Sequence, residues 1–412
     1  MSKLKKLFSP APLGHIQMLL FILIELLLIF GKEFSKFHVV GPFYLYDTMF
    51  ILLSLAAGIV FLRRPDKIWI GPFLFILGLS IIYVSYSFAV SLGPVNYLIR
   101  QYALFVYMGG MYLLFFSYIS PKANEYNLKF IILIGIGAFI LQIGYHIYNM
   151  LFTNDFLKVF FSAFNYYTLL GIMALFVFEA YLLVYIRKWW KWILLLMIFF
   201  LTLTMGHHSS VILATLMVFG CYLFLHSRTS IKWALGMAAI AVPVALYYLV
   251  PSHFQDHNAL WRLIYWKYAM KDILLNYYGL IGHGFGLKYV TQEAMEALRN
   301  VINSPWFEVR PEEQFITPMH NSFITIGYHI GFVFVFLLLI PLKKMFVYFF
   351  NRKNQEVSMQ KDFIVLALSG VFVWTNFHVV LELPHSSAFF WLIYFTTIYI
   401  FNFNSSSNSN EY

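Results

Sequence analysis

The chain has 412 residues, of which 61% are apolar and only 11% charged, and its mean hydropathy is +0.74. Soluble domains carry about 25% charged residues, so soluble, fibrous and disordered classes are excluded, and lipid must serve as part of the solvent. One cysteine (Cys221) excludes a disulfide framework, a thiolate zinc site and an iron–sulfur cluster, and the net charge of +10 has to be explained by where the charges fall.

A helix that crosses a bilayer needs about 20 mostly apolar residues. About twelve such stretches follow one another, beginning near His15, Gly41, Ile68, Gln101, Phe130, Asn165, Ile193, Ser209, Trp233, His320, Asp362 and Ser387. The turn Gly206-His207-His208 between the seventh and eighth is short enough to make one kinked unit of them, which would lower the count to about eleven. The expected fold is all-α and integral to the membrane. Residues 1–250 hold the first nine spans, 251–319 a large loop, 320–401 the last three spans, and 402–412 a disordered tail. No small-residue cleavage site follows the first apolar run, so that run reads as a span and not as a signal peptide.

With the N-terminus in the cytoplasm, the inner segments collect most of the basic residues. They hold Lys3, Lys5 and Lys6; Arg63, Arg64 and Lys67; Lys122 and Lys129; Arg187, Lys188 and Lys191; Arg228 and Lys232; and Lys343, Lys344, Arg352, Lys353 and Lys361. Lys and Arg favour cytoplasmic loops, so the basic balance records topology and calls for no nucleic-acid partner. Both termini are expected inside.

The segment from Pro251 to Met319 then lies on the outer side and is nearly neutral. Its aromatic clusters Leu260-Trp261, Leu263-Ile264-Tyr265-Trp266 and Trp306-Phe307 argue for a folded, partly helical cap, because long structureless loops are usually functional or disordered. Residues 259–275 have a helical pattern in which Lys267, Lys271 and Asp272 share one arc and Arg262 faces away among aromatics. Arg262 fits two roles equally by spacing: a bidentate clamp on phosphate oxygens, or an arginine snorkelling or stacking on an interfacial helix. Gly282-His283-Gly284-Phe285-Gly286 makes a tight turn in which backbone can approach a ligand at Gly284 and Gly286, or simply a turn. His320 stands at the expected outer boundary. It is suited to general-base chemistry near neutral pH, or else it is a helix-start residue beside a capping Asn321 or Ser322. Arg100, His207, His208, Glu382 and His385 gather on the same side, and Glu25, Asp47 and Glu179 fall in or near spans, where charge is costly. No Walker motif, HExxH or GxSxG is present.

The stretch Trp261-Arg262, Trp266, Gly282-x-Gly284-x-Gly286, then His320-Asn321-Ser322-Phe323 leading into an apolar helix with Gly331, resembles the O-antigen ligase and polymerase superfamily. The resemblance implies a C-type glycosyltransferase fold and metal-independent, inverting glycosyl transfer at the periplasmic face of a bacterial inner membrane, without cofactor. The donor would be a glycan on undecaprenyl diphosphate, and the acceptor another glycan or lipid A–core. Arg262 would hold the donor diphosphate, and His320, or else Glu313, would take the proton from the attacking hydroxyl. Gly284, Gly286, Asn321 and Asn165 would lie along the substrates. Many members carry Ser-Arg where this chain has His207-His208-Ser209; His207 and His208 would meet the substrate there, holding phosphate only when protonated, and Arg100 could compensate. A flippase and a chain-length regulator would be partners. The expected function is a surface-polysaccharide polymerase, with a ligase as the near alternative and a multi-pass secondary transporter as the alternative of another class.

Overall fold

The computed structural model describes residues 38–40, 43–64, 67–118, 124–152, 169–204, 209–227, 257–300, 310–352, 355 and 357–403. The protein is a helical membrane protein. Among the described residues, Leu45–Arg63, Gly71–Ala89, Val95–Ser117 and Phe332–Asn351 are long and apolar enough to cross a bilayer. Leu128–Gly137, Leu170–Tyr185, Lys191–Phe200 and Ser210–His226 are shorter apolar stretches.

A short antiparallel ladder, β1 (His38–Val40) and β2 (Phe43–Tyr44), pairs His38 with Tyr44 and leads into the first helix, a small departure from the all-α expectation. Seven helices follow: α1 Leu45–Arg63, α2 Gly71–Ala89, α3 Val95–Tyr118, α4 Asn124–Phe152, α5 Leu169–Tyr185, α6 Lys191–Thr204 and α7 Ser209–His226. The large loop supplies α8 His257–Leu275, α9 Gln292–Arg299 and α10 Glu313–Ile316. The chain returns through α11 Ser322–Ile330, α12 Phe332–Val335, a 3-10 run Phe336–Leu342, α13 Lys343–Asn351, α14 Met359–Thr375 and α15 Pro384–Asn402. The expected spans beginning near His15 and Trp233 lie outside the described residues.

Among the described residues α11 is buried along its whole length, and α5, α14 and α15 are mostly buried. Phe176, Trp374 and Trp391 are fully buried, and Thr396 and Thr397 return their hydroxyl protons to the carbonyls of Leu392 and Ile393. Such back-bonding satisfies hydroxyls where water is absent. Close approach between α14 and its neighbours depends on Gly370. A Cβ there would lie 2.6 Å from Val218 and 2.8 Å from Phe176, the small-residue contact that lets membrane helices pack.

The expected tenth span is not one helix. Gly331 interrupts it with φ +106°, between α11 and α12. From the turn before α15 to the end of that helix the partners run in order: the Ser322 hydroxyl accepts from Val380 and Leu381 N–H, Tyr394 donates to the Leu338 carbonyl, and Asn402 donates to the Pro341 carbonyl. The stretch lying beside α15 is therefore Ser322–Leu342. α13 follows at the far end, where Arg352 and the Tyr348 hydroxyl grip buried Asp362 at 2.6–2.9 Å. At that end too, Arg64 donates to the Phe116 and Ser117 carbonyls, covering the negative end of α3.

Candidate functional site

The opposite end of the bundle holds the site. It is built on the segment Thr317–His320, which α8 positions from the side. Tyr265 donates its hydroxyl to the Thr317 carbonyl at 3.0 Å, and Trp266 donates its indole N–H to the Met319 carbonyl at 2.5 Å. The chain then turns so tightly that the His320 N–H bonds the Pro318 carbonyl at 2.8 Å, with His320 at φ +49°. A non-glycine residue in this region costs about 1–3 kcal/mol and persists only where its surroundings impose it. The Trp261 ring stands edge-on to His320, centroids 4.9 Å apart, and the His378 ring lies 6.4 Å away. His378 is buried, stacks on Trp374 at 3.7 Å and bonds the Ser210 hydroxyl at 3.1 Å.

His320 lines a cavity of about 270 Å³ with Arg100, Gln101, Tyr289, Glu313, Thr317 and Glu382 among its walls. Arg100 and Gln101 come from α3, Tyr289 and Glu313 from the large loop, and Glu382 from the turn before α15. Charge of both signs converges from segments distant in the chain. A second cavity of about 360 Å³ adjoins it, sharing Arg100, Glu382 and Leu383. Its other walls are almost wholly apolar: Ile51, Val84, Phe88, Leu98, Ile99, Ala103 and Val106. The exceptions are Asp47, whose carboxylate accepts from the Tyr107 hydroxyl at 2.6 Å, and Tyr102 and Tyr107.

Glu382 is the most perturbed acid of this site. Ser322 accepts two backbone N–H groups and donates its proton to Glu382 Oε2 at 2.6 Å, while the buried Oε1 finds no hydrogen-bond partner among the described residues. Burial pushes the carboxyl up from 4.5 to about 7, against the pull of the Ser322 hydroxyl. Tyr289 has a defined role as well. His329 Nδ1 stands 2.6 Å from the Gly284 carbonyl and must donate to it, so Nε2 accepts from the Tyr289 hydroxyl at 3.0 Å. Burial holds the Tyr289 phenol above its usual range, so it keeps that proton. Glu313 is held by the Thr317 hydroxyl.

Three residues expected at the site, Arg100, Glu313 and His320, meet at the cavity. Others do different work. Asn321 is buried and caps α11, its Oδ1 accepting from the N–H groups of Phe323 and Ile324 at 3.1 Å, so its acceptor already serves the helix start, and it is not among the residues lining the cavity. Gly284 and Gly286 are buried, at φ +80° and +90°. Their loop docks against α2 and α3, with Phe285 N–H on Ser87 and Gly286 N–H on Gln101, and a Cβ on facing Gly93 would lie 2.0 Å from the Gly286 carbonyl oxygen. These glycines are packing residues and do not line the cavity. Arg262 is half-buried over the Trp261 ring at 5.5 Å and also stands off the lining, one residue behind the aromatic that contacts His320. Asn165, His207 and His208 lie outside the described residues.

Gln101, Tyr289 and His378 were not singled out in the sequence, and Glu382 only as one of several outer polar residues. Nothing local marks them: Gln101 and Tyr289 are ordinary neighbours of apolar runs, and only packing turns them inward. No family model matches the chain, and no curated protein or solved structure is significantly similar to it.

Proposed function

We propose that the protein is a lipid-linked glycosyltransferase that joins polysaccharide repeat units carried on undecaprenyl diphosphate. One observation supports this most: a cavity bearing a guanidinium, an imidazole and two carboxyls opens beside an apolar cavity, with Arg100, Glu382 and Leu383 common to both. An amphiphile with an anionic head and a hydrocarbon tail fits that pair. The order of Trp261-Arg262, Gly282–Gly286 and His320–Phe323 along the chain points to the same chemistry.

On this reading Arg100 faces the donor diphosphate, and the fork of its guanidinium suits phosphate oxygens. His320 takes the proton of the acceptor hydroxyl, whose oxygen attacks the anomeric carbon from the face opposite the diphosphate. The bond from that carbon to the diphosphate oxygen breaks, and the polyprenyl diphosphate leaves with its electron pair, stabilised by the fixed cation. Glu382 adds a second proton acceptor close to neutrality. The site end faces the periplasm and the opposite end, rich in Arg and Lys, faces the cytoplasm, as the distribution of positive charge favours. Both termini are cytoplasmic, and a flippase and a chain-length regulator supply and control the substrate.

The test is the polysaccharide banding of a null strain complemented with wild type or His320→Ala at matched protein levels. Loss of long chains, with single repeat units remaining on lipid A–core, is expected. Loss of all capping, with long lipid-linked chains accumulating, would make the protein a ligase. An unchanged ladder from His320→Ala would overturn the reading and favour a transporter.

A further inference from the structure

The C-terminal turn of α8 and the loop behind it do not have the character of a solvated surface loop. From Ile273 to Gly282 the chain carries no charge. Leu274, Leu275, Tyr277, Tyr278, Leu280 and Ile281 are all exposed, Tyr278 to 86% and Leu275 to 74%. Tyr277 and Tyr278 hold φ of +47° and +58°, left-handed conformations that turn two aromatic side chains outward in succession. The neck of the loop is closed where Asp272 pairs with His283 at 3.0 Å and the Asn276 amide reaches the same ring.

Much of the backbone in this loop and in the stretch of chain that follows it is paired within the protein. Asn276 N–H bonds the Ile273 carbonyl, Gly279 N–H that of Asn276, and Leu280 N–H that of Tyr277. Gly282 N–H bonds the Tyr83 hydroxyl, His283 N–H the Tyr328 carbonyl, and Gly284 N–H the His329 carbonyl. A loop in water has no need of this, whereas irregular backbone at membrane depth is tolerated only when its polar groups are paired inside the protein. The position agrees. Tyr83 lies well inside α2, a Cβ on Gly279 would meet Phe332 at 3.5 Å, and a Cβ on Gly331 would lie 2.7 Å from the Leu280 carbonyl oxygen. The loop is therefore continuous with the exposed apolar side of Val333 and Phe336 on the run that crosses beside α15.

We propose that residues 274–281 form a membrane-dipping loop, seated in the lipid of the leaflet at the site end of the bundle. Its two tyrosines lie at the boundary between hydrocarbon and headgroups, where such rings are favoured, and it anchors α8, the helix that positions Thr317–His320. The partner is the bilayer itself. This does not depend on the proposed reaction.

The experiment uses the full chain with Cys221 replaced by Ser, carrying one new cysteine at a time: Tyr278→Cys, Leu275→Cys, and Glu296→Cys on the charged, exposed face of α9. Each is labelled with bimane and reconstituted in phosphatidylcholine vesicles. Nitroxide-bearing phosphatidylcholine is expected to remove most of the emission at position 278, and at 275 should 278 disturb folding, with aqueous iodide having little effect. Position 296 should behave in the reverse manner. Iodide quenching at 275 and 278 would make the segment a water-exposed loop and overturn the proposal. Quenching by neither agent would mean that protein covers it, and would overturn the proposal equally.

Discussion

Glu382→Gln isolates the most perturbed acid of the site. The carboxyl rises from 4.5 to about 7 because burial disfavours its charge. A raised carboxyl holds its proton more tightly in the folded chain than in the unfolded one. Folding is therefore unpenalised below the ordinary value, loses stability as pH climbs from about 4.5 to about 7, and carries the whole cost above that. A tenfold difference in proton affinity corresponds to about 1.4 kcal/mol, so ionised Glu382 costs the fold about 3 kcal/mol. Glutamine has nearly the same shape, stays neutral, and still offers an oxygen to the Ser322 hydroxyl. Melting of detergent-solubilised wild type and variant, followed against pH, should coincide near pH ~4 and diverge as pH rises, the variant melting higher by about 5 °C at pH ~8.5. Every other titrating group is common to both proteins and cancels in the difference. A gap that stays constant with pH, or a variant that melts lower throughout, would refute the argument that the carboxyl is held in a charge-averse environment.

Gly93→Ala should destabilise by at least ~1–3 kcal/mol, because its Cβ meets backbone and not a movable side chain; Gly78→Ala, with open space around it, serves as the control in the same melting assay. Asn321→Ala should cost about 1 kcal/mol through the lost cap, and Asn321→Asp should restore it; a variant that melts normally but cannot make polymer would return Asn321 to the substrate. Arg100→Gln should abolish the polysaccharide ladder at normal protein levels, since it removes the guanidinium of the cavity. Arg262→Lys should keep most activity, because Arg262 stands off the cavity lining over Trp261, whereas loss of most activity with normal insertion would restore a bidentate clamp at that position.

The helices were readable because hydrophobicity is a local property. Starts expected near Gly41, Ile68, Ile193, Ser209 and Asp362 fall within a few residues of α1, α2, α6, α7 and α14, since about 20 apolar residues leave the backbone little choice in lipid. His320 and Arg100 could be placed at the same end by counting crossings. The residues that the structure gives packing or capping roles share one feature. Asn321, Gly284 and Gly286 look chemical in the sequence because polar and glycine residues serve ligands and helix ends alike. Which groups already occupy them is set by packing: the N–H of Phe323 at Asn321, Ser87 at Gly284 and the backbone of Gly93 at Gly286. The large loop reads as a folded cap from its aromatic clusters, while the docking of its Gly284–Gly286 turn on α2 and α3 is visible only once the chain has packed.

Composition and periodicity thus determined a helical membrane protein, because hydrophobicity follows from neighbours in the chain, and the placement of charge led to the expectation that basic residues lie on one side with Arg100 and His320 on the other. Only the tertiary structure brought Tyr289 and Glu382 to His320, enclosed the Glu382 carboxyl, and set an apolar cavity beside Arg100. Those features arise where α3, the large loop and the turn before α15 meet, and the burial that shifts an acid or fixes a histidine at φ +49° exists only once the segments have packed.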